Sequence, residues 1–121
     1  MFRGTGTAVI TPFKDGNVDF DAFGRFIRFQ LENRIEALIV LGTTGESPTI
    51  SDFERTQLIK IAVNEANGTV PVIVGTGTNS TEKTVEMSTK AFDEGADGVL
   101  VVVPYYNKPT QEGLYRHFGE I

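Results

Sequence analysis

Four short runs of apolar, mostly β-branched residues divide this sequence into segments of similar length. The runs begin near residues 7, 37, 70 and 98. Each run is too short for a helix and is bounded by glycine, proline or other turn residues, which is typical of a buried β-strand. Each strand is followed by enough chain for one helix, so the pattern predicts four consecutive βα units around a parallel sheet. The predicted strands are Thr7–Thr11, Ala37–Leu41, Val70–Val74 and Val99–Val103.

The segments between the strands carry helix signals. Ser51 and Glu54 form a capping-box pattern at the start of the second helix. Asn79 with Glu82, and Thr110, predict the starts of the third and fourth helices. The first helix follows a turn at 14–17, and its predicted apolar face comprises Phe20, Phe23, Ile27 and Leu31. On the last two helices the residues predicted to face the core are Val85, Ser88, Ala91, Phe92, Leu114, Tyr115, Phe118 and Ile121.

An α/β chain with this order of elements can close in two ways. It can form a doubly wound open sheet, or it can form half of a (β/α)8 barrel, whose usual length is about 250 residues. The spacing of the units is compatible with both. Both folds bind ligands at the carboxyl ends of the strands, so we expect a functional site in the segments that directly follow the strands.

Composition excludes several classes of protein. The net charge is −5 and the sequence has no basic stripe, which argues against nucleic-acid binding. Because there is no cysteine, a disulfide scaffold and a thiolate nucleophile are excluded. The N-terminal residues lack the apolar core of a signal peptide, and no apolar run approaches the ~20 residues that span a membrane. We expect a soluble, cytoplasmic protein without a membrane partner.

The segment after the second strand is Gly42-Thr43-Thr44-Gly45. In one interpretation the two threonines satisfy backbone groups in a turn, as threonine often does. In the other, successive backbone N–H groups near a helix start form a site for a carboxylate. The adjacent tyrosines Tyr105 and Tyr106 likewise have two interpretations, either aromatic packing at a strand end or a phenol that passes protons within a hydrogen-bonded chain.

Two features are similar to cofactor or metal signals but lack the partners that such sites need. Gly75-Thr76-Gly77 resembles a dinucleotide-binding loop, yet Ser80 occupies the third glycine position and no acidic residue ends the next strand. His117 is the only histidine, and the sequence offers no cysteine or second histidine to share a metal. We therefore expect no cofactor and no metal, and a helix-surface role for His117.

Three segments, Gly42–Ser47, Val74–Gly77 and Pro104–Leu114, resemble the dihydrodipicolinate synthases of the N-acetylneuraminate lyase superfamily. The resemblance extends over the whole chain, and the Tyr-Tyr-Asn-Lys-Pro run at 105–109 is similar to the synthase branch rather than to the sialic-acid lyases. Family members are (β/α)8 barrels more than twice as long. The resemblance therefore implies that residues 1–121 form one domain, an N-terminal half-barrel whose fourth helix is cut short.

The resemblance also implies an activity and a set of site residues. Family members are lyases of lysine and diaminopimelate biosynthesis that condense pyruvate with aspartate semialdehyde through an imine on a lysine. Thr43 matches a catalytic residue of a proton relay, and Thr44 matches a residue that binds the carboxylate of pyruvate. Tyr106 matches a catalytic tyrosine that crosses a tight dimer interface and completes the relay of the neighbouring subunit.

The imine-forming lysine and the arginine that binds the second substrate in this family have no match here. The family lysine lies on a strand of the second half of the barrel, whereas the lysines of this sequence lie on predicted helices, turns or loops. We therefore expect the isolated chain to be inactive. Two alternatives are a non-catalytic half-barrel scaffold and a weak keto-acid-binding module. A half-barrel leaves its inner apolar face bare, which predicts a homodimer or a higher homo-oligomer.

The resemblance also concerns a regulatory site. Some family members bind free lysine as an inhibitor at positions that match Ser47, Asn79 and Tyr105. Residues that are often His, His and Glu around that site are replaced here by Asp52, Arg55 and Lys83. A positive charge at Lys83 disfavours a cationic ligand. We therefore expect no feedback inhibition by lysine.

Overall fold

The computed structural model describes residues 3–121 and contains a four-stranded parallel sheet. The sheet strands are β1 (Gly6–Ala8), β4 (Ala37–Val40), β5 (Val72–Gly75) and β6 (Gly98–Leu100). They lie side by side in sequence order, so within residues 3–121 the sheet lacks the reversal of strand order that defines a doubly wound fold. Register pairs Ala8 with Ile39 and Ile39 with Ile73.

Four helices follow the four strands. They are α1 (Phe20–Glu32), α2 (Asp52–Ala66), α3 (Thr81–Asp93) and α4 (Gln111–Gly119), and a single 3-10 turn covers Ser47–Thr49. The prediction of an α/β chain with four consecutive βα units is confirmed. Among the described residues, no helix combines the length and the apolar character that crossing a membrane requires.

The predicted turn at 14–17 is the tip of a small β-hairpin. Strand β2 (Phe13–Lys14) pairs with β3 (Asn17–Val18) in antiparallel register. The two turn residues have positive φ, 51° at Asp15 and 80° at Gly16, as a type I′ turn requires. The sequence indicated the turn, but each strand is only two residues long and leaves no periodic signal.

The core lies between the helices and one face of the sheet. Its members alternate along the strands with residues of the other face, and they pack against the inner faces of α1, α2 and α3. The most deeply buried apolar residues are Val9, Phe23, Ile27, Leu38, Val40, Leu58, Ile59, Ala62, Val72, Val74 and Ala91. The apolar face predicted for α1 is confirmed, with Phe23 and Ile27 buried and Phe20 and Leu31 packed at its margin.

The opposite face of the sheet is less covered, and we call it the open face. It comprises Ala8, Ile39, Ile73 and Leu100, which share one side of the sheet by register, and Ile10, two residues beyond Ala8. Ile39 and Ile73 are half-buried, whereas Ile10 is 46% exposed and Leu100 is 43% exposed. The Ala37–Leu41 run is apolar at every position and was predicted to be a buried strand, but Ile39 shows that its open side is covered only in part.

Helix starts follow the predicted caps with one correction. Ser51 and Glu54 form a complete capping box, and the Thr110 hydroxyl accepts from the Gly113 amide at 3.1 Å. The cap of α3 is Ser80 rather than Asn79, and its Oγ accepts from the Lys83 amide at 3.3 Å. Asn79 is held elsewhere, because its carbonyl oxygen accepts from the Asn107 side chain at 2.8 Å.

The predicted inward faces of α3 and α4 were wrong in part. The residues that were expected in the core but are exposed are Phe92, Tyr115, Phe118 and Ile121. On α4 the buried side chain is His117, which was expected at the surface, and its Nδ1 lies 2.8 Å from the Thr81 hydroxyl of α3. The inward side of α4 therefore differs from the prediction. Leu114 is partly buried and His117 is buried, and residues three apart lie on the same side of a helix.

The last sheet strand is also shorter than the run Val99–Val103. Ladder pairing ends at Leu100, and Val102 and Val103 are exposed. Strand β6 pairs with β5 alone among the described residues, so pairing stops where β5 gives way to its loop. In the same way, the third strand begins at Val72 rather than Val70.

Candidate functional site

The loop after β4 turns sharply away from the strand. Leu41 has φ +57°, which is unusual for a large apolar residue and turns the chain at the strand end. Two hydrogen bonds then close the loop on itself. The Gly45 amide donates to the Gly42 carbonyl at 3.1 Å, and the Glu46 amide donates to the Thr43 carbonyl at 3.1 Å. Backbone hydrogen bonds therefore close this turn, and neither threonine hydroxyl takes part in them.

The N–H groups of the two threonines are in a different situation. Thr43 and Thr44 are both exposed, and across residues 3–121 no acceptor is paired with their amides or hydroxyls. Two adjacent amides and two hydroxyls thus remain available at the carboxyl end of a parallel strand. Donors in this arrangement are suited to an anionic or carbonyl oxygen.

The segment that follows β1 holds this loop in place. The buried hydroxyl of Thr11 donates to the carbonyl oxygen of Gly45 at 2.7 Å. Gly45 itself is buried, and a Cβ at this position would lie 3.1 Å from the Val9 carbonyl oxygen and 3.2 Å from the Leu41 amide nitrogen. Glycine at this position lets the loop pack closely on β1 and β4.

The glycines after β5 have a packing role. A Cβ on Gly75 would lie 2.2 Å from the Leu41 carbonyl oxygen, and one on Gly77 would lie 2.4 Å from the Val102 amide nitrogen. Both glycines therefore allow close approach of adjacent backbones. The Thr76 hydroxyl between them is buried and lies 2.8 Å from the Ser88 hydroxyl of α3. These contacts give the Gly-x-Gly pattern a physical cause that needs no bound nucleotide.

A cleft of about 490 Å³ opens between these loops and the starts of α2 and α3. The predicted site residue Thr43 lies on its wall, and so does Tyr105 from the loop after β6. Thr44 lies outside the lining, one residue further along the exposed loop. The cleft therefore brings the Gly-Thr-Thr-Gly loop and one of the two tyrosines together.

Tyr106 points away from this cleft. It is 92% exposed, does not line the cavity and has φ +68°, and Lys108 two residues later has φ +48°. Positive φ at two large residues in one short loop is costly. Exposed tyrosine in a constrained backbone contributes little to the fold of its own chain, since it has almost no packing partners.

The most buried charge of the cleft is Arg55. Its side chain is 6% exposed, and its guanidinium donates to the Gly75 carbonyl oxygen at 2.9 Å and to the Ser47 hydroxyl. Burial lowers the pKa of Arg55, and the nearby Asp52 carboxylate opposes this shift. Sequence analysis named Arg55 only as a replacement beside the regulatory site of the family and did not predict its burial. The available signal was its position, because Arg55 continues the inward stripe of Leu58, Ile59 and Ala62.

The described residues contain no group of three or more histidine, aspartate or glutamate side chains that could hold a metal ion. His117 is a buried polar side chain whose two ring nitrogens have different surroundings. Its Nε2 is buried and finds no hydrogen-bond partner among the described residues. The surrounding groups are a threonine hydroxyl and the ring of Phe118, 5.1 Å away between centroids, which are not metal ligands.

Comparison with known proteins places the chain in a family. The sequence profile of the Dihydrodipicolinate synthetase family matches residues 1–121. This chain belongs to that family. The 4-hydroxy-tetrahydrodipicolinate synthase of Kosmotoga olearia is 60% identical over 121 residues, which cover all of this chain and 41% of the relative.

Solved dihydrodipicolinate synthases superpose closely on the chain. The crystal structure from Thermotoga maritima is 59% identical, with a TM-score of 0.95 over 98% of this chain and 40% of that one. A structure from Acinetobacter baumannii, described as chloride inhibited and complexed with pyruvate, is 44% identical with a TM-score of 0.95, covering 98% of this chain and 41% of that one. The chain thus spans about two fifths of the length of these relatives.

Proposed function

We propose that this chain forms the N-terminal half-barrel of a pyruvate-dependent Schiff-base lyase that condenses pyruvate with aspartate semialdehyde. The observation that carries the proposal is the pair of unpaired amides at Thr43 and Thr44, at a strand end of a chain that matches the family throughout. Sequential strand order and a core on one sheet face support the half-barrel. The same proposal assigns the lyase to lysine and diaminopimelate biosynthesis in the cytoplasm.

Thr44 is the proposed ligand of the pyruvate carboxylate. A carboxylate needs several donors to replace its hydration, and the adjacent amides of Thr43 and Thr44 with the Thr44 hydroxyl supply three. The Leu41 turn and the Thr11 contact to Gly45 hold these donors in position before any ligand arrives. Pre-positioned donors lose less conformational entropy when they bind.

Thr43 and Tyr106 are the proposed members of a proton relay. Thr43 lies on the cleft wall, but Tyr106 of the same chain is turned to solvent. A phenol so exposed can pass protons only if it enters another site, since relay atoms must lie within hydrogen-bond reach. We therefore assign Tyr106 to the site of a second copy, which makes the catalytic unit a homo-oligomer.

The chain alone is proposed to be inactive. An amine that forms an imine must be neutral, which requires a desolvated or positive environment. All the lysines of the chain are exposed, and none lies on a strand of the four-stranded sheet; they are Lys14, Lys60, Lys83, Lys90 and Lys108. The imine lysine of the active site must therefore come from chain outside residues 1–121.

Trapping with borohydride tests the absence of an imine lysine. The chain is incubated with pyruvate, reduced, and measured as intact mass, with the Thermotoga maritima synthase as the positive control. We expect an adduct on the control alone. A pyruvate adduct on this chain would overturn the assignment of inactivity, and peptide mapping would identify the lysine.

Pyruvate binding tests the carboxylate site independently of turnover. Ligand-observed NMR follows the methyl signal of pyruvate with the wild-type chain and with Thr44→Val, which removes a hydroxyl at nearly constant volume. We expect weak binding to the wild type and a loss of about threefold to tenfold in the variant, since one hydrogen bond to a charged group is removed. Equal binding by both would contradict the role of Thr44.

An alternative assignment is a non-catalytic scaffold that self-associates, and one observation favours it. The open face exposes Ile10 and Leu100, and the adjoining residues Val102 and Val103 are 37% and 56% exposed. Apolar surface of this extent on a sheet face is typical of an interaction surface. A further alternative is a weak keto-acid-binding module, which predicts weak pyruvate binding and no adduct on a lysine of this chain.

A further inference from the structure

The cleft contains a buried positive charge that lacks an ionic partner. Arg55 is 6% exposed, and its guanidinium donates hydrogen bonds to the carbonyl oxygen of Gly75 and to the hydroxyl of Ser47. Within residues 3–121 it forms no ion pair, although Asp52 lies near enough to influence it. A buried cation with only neutral partners is unfavourable, and the unfavourable energy is relieved when an anion enters the same space.

A second cation faces the same cleft. Lys83 lines it from the first turn of α3, and in the described part of the chain Lys83 also forms no ion pair. The charged side chains of the lining are Asp52, Arg55 and Lys83, so the cleft carries a net charge of about +1 at neutral pH. The start of α3 adds partial positive charge at this end.

Much of the remaining wall is apolar, although polar side chains such as Thr43, Asn79 and Tyr105 also line it. Five aliphatic or thioether side chains line the cleft, and they are Leu41, Ile50, Met87, Leu100 and Val102. The volume of about 490 Å³ lies in the range of small-molecule sites and exceeds what an inorganic oxyanion would fill. Such a wall suits the hydrocarbon part of a ligand, while the charged end suits its head group.

We infer that this cleft binds a small organic carboxylate with a compact apolar body. Its carboxylate lies towards Arg55 and Lys83, and its hydrocarbon part lies towards Met87, Leu100 and Val102. This ligand class differs from the cationic amino acid that binds at the matching positions in some family members, because Lys83 repels a second ammonium group. The inference does not rest on the proposed lyase activity, since it uses Arg55 and Lys83 and gives no role to Thr43, which lines the same cleft, or to Thr44, which lies outside it.

Isovalerate and its neutral isostere isovaleramide test the inference at constant ionic strength. Saturation-transfer NMR observes the ligand methyl groups, so it works whether the chain is monomeric or associated. We expect saturable binding of isovalerate and a loss of about tenfold for the amide, since charge-assisted hydrogen bonds to Arg55 and Lys83 are absent there. Equal binding of acid and amide would overturn the inference, because the cleft would then recognise only the hydrocarbon part.

A matched pair of variants on α3 locates the site. Lys83 and Lys90 are both exposed on this helix, but only Lys83 lines the cleft. We expect Lys83→Glu to weaken isovalerate binding by about tenfold and Lys90→Glu to change it by less than about twofold. Unchanged binding by Lys83→Glu, or equal losses in both variants, would overturn the assignment to this cleft.

Two further binding measurements distinguish this site from the pyruvate site and from a lysine site. Thr44→Val is expected to leave isovalerate binding within about twofold while it weakens pyruvate, and Lys83→Glu is expected to do the reverse. L-lysine is expected to show no saturable binding and no competition with isovalerate. Competition by L-lysine at lower concentration than isovalerate would contradict the carboxylate preference of the cleft.

Discussion

The buried hydroxyl of Thr11 donates to the carbonyl oxygen of Gly45 at 2.7 Å. This bond joins the segment after β1 to the loop that carries Thr43 and Thr44, across 34 residues of sequence. The residue that holds the loop therefore follows one strand, and the proposed ligand-binding residues follow another. Such a contact fixes the loop without occupying any of its free donors.

Thr11→Val tests how much this bond contributes. The variant leaves the buried Gly45 carbonyl without its partner, which we expect to lower the free energy of unfolding by about 1–3 kcal/mol. Thr49→Val is the control, because the Thr49 hydroxyl bonds the Glu46 carbonyl in the same loop but is exposed. Urea unfolding measures both, and we expect a change within about 0.5 kcal/mol for the control. Equal losses would show that burial of the Thr11 bond is unimportant.

Substitution of Gly75 tests whether the close approach of a neighbouring backbone is the reason that only glycine fits at this position. A Cβ there would lie 2.2 Å from the Leu41 carbonyl oxygen, which is backbone and cannot rotate away. We expect Gly75→Ala to cost about 3 kcal/mol or more in stability. Gly119→Ala at the end of α4, where a Cβ meets nothing within 4 Å, should be neutral or slightly stabilising. Thermal unfolding followed by circular dichroism compares them. A stable Gly75→Ala variant would refute the packing explanation.

The capping box of α2 predicts a pH-dependent contribution to stability. Hydrogen bonds from the Ser51 hydroxyl and amide lower the pKa of Glu54 below its ordinary value of 4.5. Because the folded pKa is the lower one, the stabilisation is complete above the ordinary value and is lost as the pH falls through the lowered one. Glu54→Gln keeps a capping side chain without its charge.

We therefore expect Glu54→Gln to be less stable than the wild type at about pH 7, and we expect this difference to be smaller at about pH 3. Urea midpoints at the two pH values give the comparison. Glu86→Gln, at an exposed position midway along α3, serves as the control for the loss of one negative charge. A difference between wild type and Glu54→Gln that is equally large at low pH would mean that the charge of Glu54 is not what stabilises the helix start.

The open face predicts self-association of the chain. Ile10 and Leu100 expose apolar surface on a sheet that has unpaired edges among the described residues, and burying it against another copy is favourable. We expect light scattering to show a dimer or larger species at micromolar concentration. Leu100→Glu should shift the population towards monomer. Phe29→Glu, at a 55% exposed position on α1, should leave it unchanged. A monodisperse wild-type monomer would contradict this prediction.

The elements of the fold could be predicted because their signals are local. The capping box of Ser51 and Glu54 acts within four residues, and the apolar spacing of α1 repeats within one helix. The order of strands and helices follows from such signals. The cap of α3 was misassigned because Asn79 and Ser80 are equally good caps locally, and a contact with Asn107, 28 residues away, decides between them.

The candidate site could be predicted only in part. Thr43 and Thr44 were indicated by two glycines and a strand end, and their available amides agree with an anion site. The burial of Arg55 and His117 was not predicted, since polar residues are usually exposed and the sequence does not show which neighbour covers them. Tyr105 and Tyr106 are adjacent in sequence, yet only Tyr105 lines the cleft, because backbone conformation at Tyr106 directs it outward.

The sequence by itself determined the order of strands, turns and helices, and which loops follow the strand ends. Periodicity, β-branching and capping act over a few residues, so they can be deduced before the chain is folded. The tertiary structure decided which side of each helix is buried, which charges lose their water and what shares the cleft with Thr43. Those properties depend on residues far apart in sequence. The uncompensated guanidinium of Arg55, held by Gly75 and Ser47, could be found only there.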